Sequence, residues 1–180
     1  MFDFHTASSA PAESAKVMEA VQGKMGFVPN LFAYIAESPA AIRAYVQLDA
    51  LLAESELTPR EVQLILLTTS VTNRCEFCVA AHSAGGTKAG LDKDIIAAVR
   101  REETPGSTRE AALVTFVRKL VSERGWVAEE DVQAFLQAGF TKANVFDVIT
   151  AVSLKTLSNY ANHLTQPELN EQLEPFAWEK

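Results

Sequence analysis

Apolar residues recur along most of this chain at spacings of three and four, and glycine and proline fall between the periodic stretches rather than inside them. The pattern predicts an all-α fold. A first helix is expected over about residues 11–24, stopping near Gly23 and Gly26, followed by the linker GFVPN and a short turn at 30–36. SPAAIRAYVQLDALLAES then reads as a helix capped by Ser38, with Pro39 preset for the first helical position. LTPREVQLILLTTSV opens with Thr58, Pro59 and Glu61, a capping box, and Ser107 with Glu110 repeats the signature ahead of AALVTFVRKLVSER. Asn73 and Arg74 interrupt the period, and a new helix is expected from the cysteine stretch to about Gly90, with Asp92 capping KDIIAAVRREE. AEEDVQAFLQAG and TKANVFDVITAVSLKTLSNYANHL supply the last two helices, and Pro167 stops the second. The tail LNEQLEPFAWEK has no period, but its Phe176 and Trp178 are expected to pack on a surface.

A length of 180 residues suits one domain, here a core over 39–165 with an N-terminal arm (1–38) and a C-terminal tail (166–180). With 48% hydrophobic residues the chain can fill a core, so disorder is not expected. A net charge of −7 and the lack of any Lys/Arg cluster argue against nucleic acid as a partner. The start lacks the charged-then-apolar pattern of a secretory signal, and no apolar run reaches the roughly 18 residues of a membrane span. A soluble cytoplasmic protein is therefore expected, with its thiols reduced rather than joined in a structural disulfide.

Both cysteines and one of three histidines fall within TNRCEFCVAAHSAGG, residues 72–86. On a helix, Cys75, Cys78 and His82 stand at i, i+3 and i+7, inside a stripe of about 60°. Cys75 is expected in the first helical turn, where unpaired N–H groups and the dipole favour an anion. Such a turn, a histidinium and C-x-x-C spacing each lower a thiol pKa, and a neutral His82 would instead serve as a general base. An activated thiolate beside a second thiol can reduce a peroxide by way of a sulfenic acid that condenses to a disulfide. The spacing leaves the Cβ atoms about 5–6 Å apart where a disulfide wants about 3.5–4.5 Å, so the first turn must tighten. The stripe does not decide which cysteine attacks: Cys75 has the dipole, Cys78 the histidine.

C-x-x-C is also half of many zinc sites, but only His5 and His163 remain as further histidine ligands, so a closed site would need a carboxylate or a second subunit. A thioredoxin-type site needs a βαβ frame that this pattern lacks. Two small buried hydrophobes, or a redox sensor or non-catalytic scaffold without turnover, are the alternatives of another class.

The segments GFVPNLFAYIAESPAAIRAY, LTPREVQLILLTTSVTNRCEFCVAAHS and GFTKANVFDVITAVSLKTLSNYANHL resemble the AhpD-like alkylhydroperoxidase branch of the carboxymuconolactone decarboxylase superfamily, and C-x-x-C-x-x-x-H is the specific part. The resemblance implies an all-α AhpD-like bundle that assembles into homotrimers or hexamers. It implies hydroperoxide reduction with an external thiol reductant and no cofactor or metal. By that similarity Cys78 meets the peroxide, Cys75 resolves, and His82 belongs to a proton relay. The family's relay glutamate, twelve residues before the first cysteine, is replaced by Gln63, which can hydrogen-bond but not take a proton; Gln63 and Glu61, two residues away, are the candidates for the relay, Glu61 only if a local distortion turns it into the site, since its cap already explains it. A histidine between the cysteines in the family pattern is Phe77 here. The superfamily's decarboxylase branch has no cysteine pair, which argues against decarboxylation. Asn159, Asn162 and His163 in NYANHL are familiar in the family and are expected to satisfy buried backbone or line an interface.

Overall fold

The computed structural model describes residues 1–179. Among them the chain forms α1 (Ala12–Met25), α2 (Asn30–Ile35), α3 (Pro39–Leu52), α4 (Pro59–Thr72), α5 (Glu76–Lys88), α6 (Lys93–Arg100), α7 (Thr108–Ser122), α8 (Glu129–Gln137) and α9 (Lys142–Thr165), then a 3-10 turn at Glu171–Phe176. No strand forms among the described residues, as the helical period requires.

The helix starts follow local chemistry. Ser38 accepts from the Ala41 N–H with Pro39 behind it, and Thr58 and Glu61 close the expected capping box. Thr141 and Asn144 build another at the head of α9. Two expectations need correction. Asp92 makes no side-chain cap; its carboxylate lies 3.2 Å from Arg60 instead. Ser107 accepts from the Glu110 N–H, but Glu110 does not reach back, so the box is half formed.

α4 lies at the centre, against α5, α6, α7 and α9. Leu64, Ile65, Leu66 and Leu67 are buried all round it. Thr68, Thr69 and Ser70, equally buried, return their hydroxyls to the carbonyls of Leu64, Ile65 and Leu66, so no polar group is stranded there. The apolar interior divides in two. A larger cluster joins α4 to α6, α7, α8 and α9, and a smaller one joins α1, α2 and α3 to the start of α5 and to Leu173. The tail belongs to the larger cluster through Trp178, which is 8% exposed. Its indole N–H donates to the Arg100 carbonyl, while the Arg100 guanidinium holds the carbonyls of Phe176 and Ala177. On the outer side of α9, Phe146, Ile149, Tyr160 and Leu164 stand exposed along one stripe. Among the described residues, no helix is long and apolar enough to cross a membrane.

Candidate active site

The junction between α4 and α5 sets the cysteine geometry. After Asn73, Arg74 adopts a left-handed backbone (φ 57°), its N–H bonds the Val71 carbonyl, and the Cys75 N–H bonds the Ser70 carbonyl. This is a Schellman ending, with arginine in the place where glycine is usual. Cys75 is then the N-cap of α5, extended at φ −93° and ψ 94°, and not a residue of its first turn as the sequence suggested. Cys78, third in the helix, takes the first-turn position instead. The extended cap swings Cys75 toward it, and the thiols, both free, lie with sulfurs 2.6 Å apart. No tightening of the helix is needed, because Cys75 stands outside it.

Four side chains surround the Cys78 sulfur. Cys75 donates its S–H, and the Asn162 amide donates from 3.1 Å. Asn159 adds its amide, whose oxygen accepts from Asn73 while its Nδ2 completes no hydrogen bond. Lys155, 2% exposed, supplies a buried positive charge. Burial by itself would raise the Cys78 pKa; the Cys75 thiol, Lys155, Asn159 and Asn162 outweigh it and hold the thiol at about 6. Cys75 goes the other way, pushed up by its bond to Cys78, by burial and by that neighbour's charge. The two thiols titrate as a pair with Cys78 as the ionised member.

Of the two states foreseen for His82 the structure favours the neutral one, with its ring turned to Lys155. Its Nε2 is 2.7 Å from Lys155 Nζ and its Nδ1 is 3.0 Å from Gln63 Oε1. An ammonium only donates, so Nε2 accepts from Lys155 and the ring proton sits on Nδ1, donated to Gln63. Burial first, then the Lys155 charge, push the imidazole well below its ordinary pKa, so His82 is neutral. The cation beside the thiolate is therefore the lysine, not a histidinium. Burial alone would depress Lys155, yet Cys78, Tyr45, Cys75 and Asp49 together raise it. Gly85 leaves room for this chain of contacts, since a Cβ there would stand 2.5 Å from Gln63 Oε1.

Cys78, His82, Gln63 and Lys155 line a cavity of about 650 Å³, walled by residues of α1, α2 and α3 that include Phe32 and Tyr45. Cys75, 2% exposed, does not line it. Glu61 is spent elsewhere. Its carboxylate accepts from the Thr58 N–H and hydroxyl and from Arg109 Nε at 2.7 Å, and it borders no part of this cavity. Among the described residues no three of His, Cys, Asp and Glu gather as metal ligands.

A sequence profile of the carboxymuconolactone decarboxylase family matches residues 39–119, which include both cysteines and His82. The fold matches a crystal structure from Ralstonia eutropha described as an alkylhydroperoxidase AhpD core, an uncharacterized peroxidase-related protein. The two share 26% identity over 96% of this chain and 93% of that one, with a TM-score of 0.85. The segment that carries both cysteines and His82 thus matches the carboxymuconolactone decarboxylase family, and the whole chain shares the fold of an AhpD core.

Two further solved structures share the fold. A peroxidase-related protein from a Silicibacter species is 23% identical over 95% of this chain and 92% of that one, with a TM-score of 0.82. The debrominase Bmp8 is 14% identical over 98% and 95%, with a TM-score of 0.81. No protein of curated function matches the sequence.

Against the superfamily pattern, the two departures acquire places. Gln63 keeps the contact to His82 without a proton to give, and Phe77 is a wall of the cavity. Sequence reasoning missed Lys155 and assigned Asn159 and Asn162 to backbone or interface. A signal existed for all three. Lys155 falls in register with buried Val148 and Ala151 before it and Asn159 and Asn162 after it, on the inward stripe of α9.

Proposed function

We propose that the protein is a thiol-dependent hydroperoxide reductase. The observation that carries the reading is a cysteine, Cys78, on the wall of an organic-sized cavity, beside a buried lysine and an asparagine amide that favour its thiolate and with a second thiol directly behind it. The Cys78 thiolate attacks the terminal oxygen of the hydroperoxide. The S–O bond forms as the O–O bond breaks, and the departing alkoxide takes a proton from Lys155 to leave as the alcohol. The Cys75 thiol then attacks the Cys78 sulfenic acid, giving the Cys75–Cys78 disulfide and water. An external dithiol reduces the disulfide, and the proton of the regenerated Cys78 thiol passes to Lys155, restoring the ion pair. His82 and Gln63 act as positioning residues: Gln63 fixes the ring tautomer, and the free lone pair on Nε2 orients the ammonium. No cofactor enters the cycle.

In this reading the exposed stripe of Phe146, Ile149, Tyr160 and Leu164 on α9 is covered by further copies of the chain in a trimer or hexamer, as in the family, in the cytoplasm.

The test treats fully reduced protein with one equivalent of an organic hydroperoxide and maps both thiols by mass spectrometry while following the rate. Expected is rapid conversion to the Cys75–Cys78 disulfide, and in the Cys75→Ser variant a trappable sulfenic acid on Cys78. Survival of both thiols, or reaction no faster than a free thiol, overturns the reading. Fast oxidation without steady-state peroxide consumption under a supplied dithiol leaves a redox sensor instead.

A further inference from the structure

The cavity over Cys78 is larger and more polarised than a bare peroxide requires. Its volume of about 650 Å³ lies within the range of sites that enclose whole organic ligands. Val17, Val21, Leu31, Phe32, Val46 and Phe77 make much of it apolar. Besides Lys155 at the reactive end, the charged residues bordering it are Lys16, Lys24, Arg43 and Lys88 against Glu13 and Asp49, so the border is cationic in a chain whose net charge is −7.

The two carboxylates do not cancel these cations evenly. Glu13 is already bound to Lys16, and Arg43 adds only the last and weakest of the charges acting on it. Asp49 acts on Lys155 and Tyr45 at the reactive end. Lys24, Arg43 and Lys88 have no carboxylate within ion-pair distance among the described residues. Lys24 and Lys88 stand in the last turns of α1 and α5, where the helix dipole gives a cation a local role. Arg43, in the first half of α3, has no such role, and its exposed guanidinium offers a fork suited to a carboxylate.

We infer that the site takes an amphipathic organic acid, its carboxylate held at the cationic border by Arg43, its apolar body along the α1–α3 wall, and its reactive group at Cys78. For the reactive group to be a hydroperoxide, the inference rests on the peroxidase reading; the acid end rests on the cavity alone. The substrate class is then a hydroperoxy derivative of a medium- or long-chain carboxylic acid, and a neutral peroxide of equal length is a poorer substrate.

Unreactive probes separate the two readings. Decanoate, below its micelle concentration, should slow iodoacetamide alkylation of Cys78 about tenfold, while methyl decanoate at the same concentration has less than about twofold effect. The Arg43→Glu/Lys88→Glu double variant should erase the difference, and raising the salt should shrink it. Equal protection by acid and ester, or by neither, overturns the inference. In turnover assays a hydroperoxy acid should exceed its methyl ester in kcat/KM by a similar factor, and that ratio should approach one in the double variant. Decanoate protection without turnover of either peroxide sinks the peroxidase reading and leaves the acid site standing. Turnover of both at equal kcat/KM does the reverse.

Discussion

Two buried polar corners of this protein, both built on α4 and only two residues apart at their nearest point on that helix, are settled in opposite ways. At Glu61 the carboxylate has all it needs: the Thr58 N–H and hydroxyl on one oxygen and Arg109 on the other, with Arg109 also bound to the Gly139 carbonyl and lying 3.8 Å over the Phe140 ring. At Gln63 the chain of contacts runs through His82 and Lys155 to a thiolate, and the buried Nδ2 of Asn159 and Oδ1 of Asn162 complete no hydrogen bond. A buried polar cluster with every partner supplied stabilises a fold, whereas one with charges forced together and donors left over keeps a group reactive. The contrast explains why the carboxylate nearest in sequence to the expected relay position is structural.

The largest effect should come from the reactive corner. Cys78→Ser should lower peroxide consumption under a supplied dithiol by about 10³-fold or more while leaving the unfolding midpoint nearly unchanged, because the swap is small and uncharged. Appreciable turnover in that variant would place the chemistry elsewhere. Lys155→Met should come next. Without its cation the Cys78 thiol reverts toward the high pKa of a buried cysteine, and its alkylation rate at pH 7 should fall about 10–100-fold. The fold should lose little, about 1 kcal/mol or less, since a buried charge is replaced by apolar volume and His82 itself lines the cavity. A Lys155→Met protein that alkylates normally would remove the lysine from the site.

The opposite pattern is expected at the satisfied corner. Glu61→Ala removes one side of the capping box and the ion pair to Arg109, and should cost about 2 kcal/mol, seen as a fall of about 4–8 °C in Tm, with Cys78 alkylation unaltered.

The pH dependence of stability separates the corners as well. Cys78, lowered from 9.0 to about 6 in the fold, contributes stability that is fully present above pH 9 and is lost as the pH falls through that window. Cys75, raised, holds its proton while the unfolded thiol ionises, so its contribution is lost above pH 9. Glu61, lowered because Thr58 and Arg109 outweigh its burial, contributes above pH 4.5 and loses that contribution below it. Denaturant midpoints should therefore rise from pH 6 toward 9 and fall beyond. The Cys75→Ser/Cys78→Ser protein should lose that shape, and Glu61→Ala should keep it.

The smallest and sharpest test is Gln63→Glu. A carboxylate against His82 Nδ1–H would raise the imidazole pKa and add a proton carrier, so turnover should increase by about two- to tenfold. A fall in turnover would mean that the neutral Gln63–His82 contact is itself required.

How far the sequence could be read follows the range of the forces involved. The starts of α3 and α4 were legible because Ser38–Pro39 and Thr58–Pro59–Glu61 act within one turn. Asp92 misled for the converse reason: its partner is Arg60, thirty-two residues away, and tertiary pairing won over the local cap. Cys75 was legible as a residue of the site but not as an N-cap, because cysteine is no habitual cap and the left-handed Arg74 that sets its backbone carries no glycine to announce it. Lys155 was hidden by its own chemistry. A lysine is expected outside, and groups on other helices, Cys78 first among them, make the inward position tolerable, a set of partners that no spacing along the chain reveals.

Of the two cysteines only Cys78 borders the cavity, so among the described residues the reactive pair is approached from Cys78's side. In the proposed cycle the oxidant enters there, and so must the reductant, since the sulfur of Cys75 lies behind its partner with no opening of its own. The incoming thiol attacks Cys78, Cys75 departs as the leaving group, and the mixed disulfide stands where the peroxide stood a moment before. The two substrates cannot be bound together and must take turns. Steady-state rates should therefore give parallel lines in a double-reciprocal plot, and each substrate in excess should inhibit by occupying the form of the protein that awaits the other.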